Sequence, residues 1–111
     1  MPGEYFFYWL DGQLQRLDLD KVYFFEANNN YVKIWGEDTK LEIRASLKGI
    51  MNQLPPGKFA QVERSFVISL AFLETVGKGF VSFRDIPDFK LPLARRYEKS
   101  LKEKIRILNG K

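Results

Sequence analysis

No stretch of the chain stays apolar for as long as Phe59 to Val76, and Glu63, Arg64 and Ser65 break it with a short polar step. Phe66, Val67 and Ile68 suit the pleated surface of a strand, and Phe59 and Val62 carry the same character upstream. A core strand gains nothing in folding from a charged pair at that point. The step is therefore expected to point outward from a stiff apolar base, and the remaining sequence has to supply what it meets.

A base of that kind belongs to a packed domain. The 111 residues are 45% hydrophobic and include ten Phe, enough for one domain over 1–111 and too many apolar side chains for a disordered chain. Cys is absent, so disulfides and thiolate metal sites are excluded. His is absent too, which removes the usual general base near neutral pH and the commonest zinc ligand. No carboxylate pair, nucleophile with a base, or Gly-rich phosphate loop stands out. The expectation is a binding protein, not an enzyme, with no cofactor. No apolar run approaches the ~20 residues of a membrane span. Met1-Pro2-Gly3-Glu4 has no basic segment ahead of the aromatic run, so it does not read as a signal peptide, and a cytoplasmic location is expected.

Charge is distributed unevenly. The formal net charge is +4, from 18 Lys and Arg against 14 Asp and Glu. Up to Gly57 there are six basic and eight acidic residues; from Lys58 onward there are twelve and six. A basic second half on a slightly acidic first half suggests one face for a polyanion, although a solvated helix face gives the same pattern.

Taken in order, Tyr5 to Trp9 reads as a strand that turns at Asp11-Gly12 into Gln13–Leu17. After the polar turn Asp18-Leu19-Asp20, Val22–Ala27 is a third strand, apolar enough to be buried on both faces. Asn28-Asn29-Asn30 turns it into Tyr31–Trp35, and Gly36–Thr39 turns that into Lys40–Arg44. The period then changes. Ser46 can cap a short helix with Leu47, Ile50, Met51 and Leu54 on one face, stopped by Pro55-Pro56-Gly57. Beyond Val76, Gly77-Lys78-Gly79 joins Leu73–Val76 to Phe80–Phe83, and Phe89–Leu91 is a last short strand. Pro92 is expected in the first turn of a C-terminal helix with Leu93, Tyr97, Leu101, Ile105 and Leu108 along one face.

This order of pieces resembles LytTR domains, the DNA-binding output domains of many bacterial response regulators in two-component systems. The resemblance rests on Phe25-Glu26-Ala27, Asn30-Tyr31-Val32-Lys33-Ile34, Ser46-Leu47-Lys48, Leu54-Pro55, Arg64-Ser65-Phe66-Val67-Ile68 and Leu91-Pro92-Leu93-Ala94-Arg95-Arg96-Tyr97. No piece is specific alone; their ordered sum, over about Val22 to Leu108, is. It implies a mainly β fold, an elongated stack of small antiparallel sheets with one short mid-chain helix and a C-terminal helix. It further implies sequence-specific binding of duplex DNA by loops entering the major groove, with dimers or paired domains reading repeated half-sites. The chain departs from the family pattern at Glu63, where a His is usual, at Gln61, often Arg, at Ser69, where Asn is common, and at Ala94, usually Ser.

The candidate contacts follow from residue chemistry on that frame. Arg64, with Ser65 beside it, is the first: a guanidinium can pair with guanine O6 and N7 through two parallel hydrogen bonds. Arg95, Arg96 and Lys99 are the second group, at the start of a helix whose N–H groups also suit phosphate. Asn29 and Asn30, with Asn28 and Lys33, form a third, since Asn can read adenine, while a plain turn explains the same residues. Lys48 and Lys78 are candidate phosphate anchors. Tyr31 and Trp35 could stack on unpaired bases, but aromatics in an alternating strand are more often core. A second reading is a LytTR-like module whose basic face binds a protein partner or another copy of itself instead of DNA.

Overall fold

The computed structural model describes residues 4–110; the opening Met1-Pro2-Gly3, whose lack of basic charge argued against a signal peptide, lies outside the described residues, as does Lys111. Strands β1 (Tyr5–Leu10) and β2 (Gln13–Asp18) form a hairpin. Its turn, Asp11-Gly12, has φ of 51° and 78°, the doubly left-handed geometry this dipeptide favours. Strands β3 (Val22–Asn28), β4 (Tyr31–Gly36), β5 (Thr39–Arg44), β6 (Phe59–Glu63) and β7 (Phe66–Ser69) form an antiparallel sheet in the order β5-β4-β3-β7-β6. A smaller antiparallel sheet takes the order β10-β9-β8, from β8 (Leu73–Gly77), β9 (Phe80–Phe83) and β10 (Lys90–Pro92). Two helices complete it, α1 (Leu47–Met51) and α2 (Arg95–Glu103). The fold is mainly β and elongated, 55 × 34 × 26 Å.

The central sheet is apolar on both faces, which explains the unbroken run Val22-Tyr23-Phe24-Phe25. One face packs Val22, Phe25, Val32, Ile34 and Val67 against Phe6 and Leu17 of the hairpin and Ile50 of α1. The other packs Tyr23, Phe24, Val62 and Ile68 against Val81, Phe83 and Leu91 of the small sheet and Leu101 of α2. Val22 and Phe25 are three apart and would face opposite ways in a regular strand. A shift in the β3–β4 register between Val22 and Phe24 puts both in the first core, as a bulge does. Burial pushes the Tyr23 phenol above the ordinary tyrosine range, with Asp85, Glu37 and Asp38 adding to the effect.

Local chemistry fixes the ends of elements. Gly36 closes β4 where any Cβ would run into the Lys21 carbonyl, the same oxygen that accepts the Glu37 N–H at 2.8 Å. The Ser46 hydroxyl accepts the Gly49 N–H at 3.0 Å and caps α1. Ser46→Ala is expected to cost about 1 kcal/mol, read as a shift in the urea midpoint with an unchanged slope.

The C-terminal helix corrects the sequence expectation. Pro92 is not in its first turn but closes β10, opposite Phe80, and β10 is a sheet edge where a missing N–H costs no ladder bond. Leu93 precedes the helix and is buried in the second core, while Tyr97 and Leu101 are the helical residues facing that core. The helix stops at Glu103, so Ile105 lies past its end and Leu108 is 94% exposed.

Candidate nucleic-acid interface

Backbone hydrogen bonds bring four turns to one end of the molecule. The polar step is the β6–β7 hairpin turn, with Glu63 opposite Phe66 and Arg64-Ser65 at its tip. The Ser65 carbonyl accepts the Ala27 N–H at 2.8 Å, which ties that tip to the end of β3 and the Asn29-Asn30 turn. Val62 O accepts the Ala94 N–H at 2.8 Å and Gly79 O accepts the Leu93 N–H at 3.0 Å. Those two bonds set the start of α2 between the Arg64 turn and the Lys78-Gly79 turn. Asn30 O accepts the Ala45 N–H at 3.1 Å, so the β5–α1 connection joins the same end.

The Arg64 turn is held from within. Glu63 Oε1 accepts the Ser65 N–H at 2.7 Å and the Gln61 amide donates to the Arg64 carbonyl at 3.3 Å. Glu63 therefore serves the turn and forms no ion pair with its neighbour, leaving the Arg64 guanidinium exposed. Among the described residues the ion pairs are Arg16–Asp18 and Glu98–Lys102. Arg64, Arg95, Lys48 and Lys78 are all exposed and outside them. Arg96 lies over the Tyr97 ring, 5.1 Å from its centroid.

The helix start adds to this. Ala94, at the cap position, offers no side-chain acceptor to the first-turn N–H groups. Two arginines then stand at the positive end of the helix dipole, an arrangement that opposes folding unless an anion is nearby. Glu98, the acidic residue of the first turn, is drawn instead to Lys102 at 3.0 Å. A phosphate would meet N–H groups and guanidinium together here.

Most of the residues singled out from the sequence thus converge: Arg64, Ser65, Asn29, Asn30, Lys78, Arg95 and, in the first turn of α1, Lys48. Asn29 takes φ 59°, the left-handed geometry Asn tolerates, and the Asn28–Asn30 side chains are exposed. Lys99 follows Arg95 by one turn along α2, so it extends the basic face away from the tip. Lys33 is set back two residues along β4, half-buried and in register with Glu26 and Glu42. Trp35 is half-buried, while Tyr31 is exposed and not part of a core. Arg44 was missed. It ends β5 directly opposite Tyr31, exposed and adjacent to the Asn30 turn. Its signal in the sequence was only a cation at a strand end.

Three small antiparallel sheets with a basic, turn-built end define a mainly β domain. The family model of the LytTr DNA-binding domain matches residues 12–106, and the chain belongs to that family. A solved structure of similar fold is the LytTr DNA-binding domain assigned to a methyl-accepting/DNA response regulator from Bacillus cereus. The TM-score is 0.74 at 15% identity, over 91% of this chain and 95% of that one. The family is one of DNA-binding domains, and no helix among the described residues is long and apolar enough to cross a membrane.

Proposed function

We propose that this chain binds duplex DNA sequence-specifically as the output domain of a cytoplasmic bacterial transcriptional regulator. In this reading the Arg64 and Asn29-Asn30 turns enter the major groove, Arg95 and Arg96 with the start of α2 meet phosphate, and Lys48, Lys78 and Arg44 flank them. Lys99 and Lys33 are outlying contacts. Two copies on repeated half-sites, as a homodimer on the DNA, belong to the same reading. The observation that carries it is the gathering of exposed, carboxylate-free cations at one end, on turns that backbone hydrogen bonds hold rigid. A self-supporting fold needs no such concentration of like charge.

The test is selection of bound duplexes from a random pool, followed by the salt dependence of the affinity. A groove-reading domain returns an enriched motif, and log affinity falls linearly with log salt concentration. Lys48→Ala and Lys78→Ala are each expected to weaken all duplexes alike and to reduce that slope by about 1. No enrichment together with a flat salt profile would sink the proposal in favour of a protein partner.

A further inference from the structure

Away from the basic end, the second face of the central sheet leaves a cavity of about 610 Å³ beside the small sheet. That volume falls in the range of small-molecule sites. Its floor is Phe24, which is buried and stacks on Trp35 with centroids 6.0 Å apart. Phe89 stacks on Phe24 at 5.4 Å and an interplanar angle of 8°, and Phe66 meets Phe24 edge-on at 6.0 Å. Phe89 is 41% exposed and stands on the β9–β10 connection, held by a turn bond from its N–H to Ile86 O at 3.0 Å. A rigid strand floor thus faces an aromatic leaf carried by a loop.

One carboxylate is aimed at these rings. Glu26 lies two residues from Phe24 on the same face of β3, and its Oε1 accepts the Trp35 indole N–H at 3.2 Å. It is half-buried and, among the described residues, in no ion pair. Lys33 stands opposite in register without pairing with it. The other cations nearby are engaged with rings: Lys40 lies 4.9 Å from the Trp35 centroid, and Lys90, at the cavity rim, lies 4.5 Å from that of Phe80. The Lys40 contact shows that a Trp35 face accepts an ammonium.

We infer that this cavity binds a small flat organic cation, its ring against Phe24, Trp35 and Phe89 and its ammonium on the free oxygen of Glu26. Apolar ring faces attract cations, and a carboxylate set beside them rejects an anion of the same shape. The site also touches the DNA end. Phe66 pairs with Glu26 on one side and Glu63 on the other, and the Ala27 N–H holds the Ser65 carbonyl. Occupancy would stiffen the Arg64 turn, a consequence that rests on the DNA reading, whereas binding itself is scored without DNA.

The experiment uses 2-naphthylmethylammonium and 2-naphthylacetate, which share a ring and differ in charge. The protein has two Trp, so Trp9→Phe leaves the Trp35 indole N–H as a single NMR signal. That signal is expected to shift saturably with the ammonium and to require at least tenfold more of the carboxylate. Glu26→Gln, which keeps an acceptor for the indole, should abolish the preference between the probes, and Phe89→Ala, on an exposed loop, should weaken both. Equal affinity for the two probes, a preference that survives Glu26→Gln, or no saturable shift would each overturn the inference.

Discussion

Phe25→Ala is expected to destabilise the fold by about 3–5 kcal/mol, a large part of the ~5–15 kcal/mol that holds a domain together. Phe25 is 0% exposed at the middle of the central strand. Its ring stacks on Phe6 of the hairpin at 6.4 Å and tilts against Phe59 of β6 at 5.9 Å. One side chain therefore joins three segments far apart in sequence, and none of them can follow the vacated volume without breaking its own strand pairing. The melting temperature should fall by roughly 10–30 °C. Phe7→Ala on the same hairpin is the control: that ring is half exposed and should move the midpoint by only a few degrees. A Phe25→Ala protein melting within that small margin would show that the first core is not built around this residue.

The strands were legible because their period is local. Alternation in Tyr31–Trp35 and Lys40–Arg44, and the turn chemistry of Asp11-Gly12 and Asn29-Asn30, act within a few residues, and the structure has strands and turns there. The unbroken apolarity of Val22–Phe25 announced burial on both faces, but the register shift that divides these residues between two cores depends on the neighbouring strand and left no trace. Pro92 shows how one property supports two outcomes. A residue without an N–H suits a first helical turn and a sheet edge equally, and the choice lies with the Phe80 pairing and the Ala94–Val62 bond, both long-range.

The candidate site divides in the same way. Residue type pointed to Arg64, Arg95 and Lys78, yet it is the Ala94–Val62 and Leu93–Gly79 backbone bonds, between segments distant in sequence, that make them neighbours. Arg44 passed unnoticed because its place beside Asn30 follows from the β4–β5 register. Glu63 stands where the family usually carries a His, and it forms no ion pair with Arg64 beside it. Its carboxylate instead closes the turn on the Ser65 N–H, so its local role is to fix the geometry from which Arg64 projects.

Arg64→Ala should consequently affect specificity more than affinity for arbitrary DNA. The backbone around Arg64 is pinned by the Glu63, Gln61 and Ala27 bonds, so its long exposed side chain can follow a base edge while the turn stays in place. A bidentate pair with guanine carries about 1–3 kcal/mol of discrimination, or roughly 5–150-fold. Selected duplexes should lose information at one position, with the salt slope nearly unchanged. Arg64→Lys should behave almost as badly, since an ammonium keeps the charge but cannot form the two parallel bonds. Glu63→Ala separates geometry from charge: it removes a negative charge near DNA, yet by freeing the turn it should blur the same position that Arg64→Ala erases. If Arg64→Ala instead weakens every duplex equally and reduces the salt slope by about 1, Arg64 contacts phosphate and another residue of the tip reads the base.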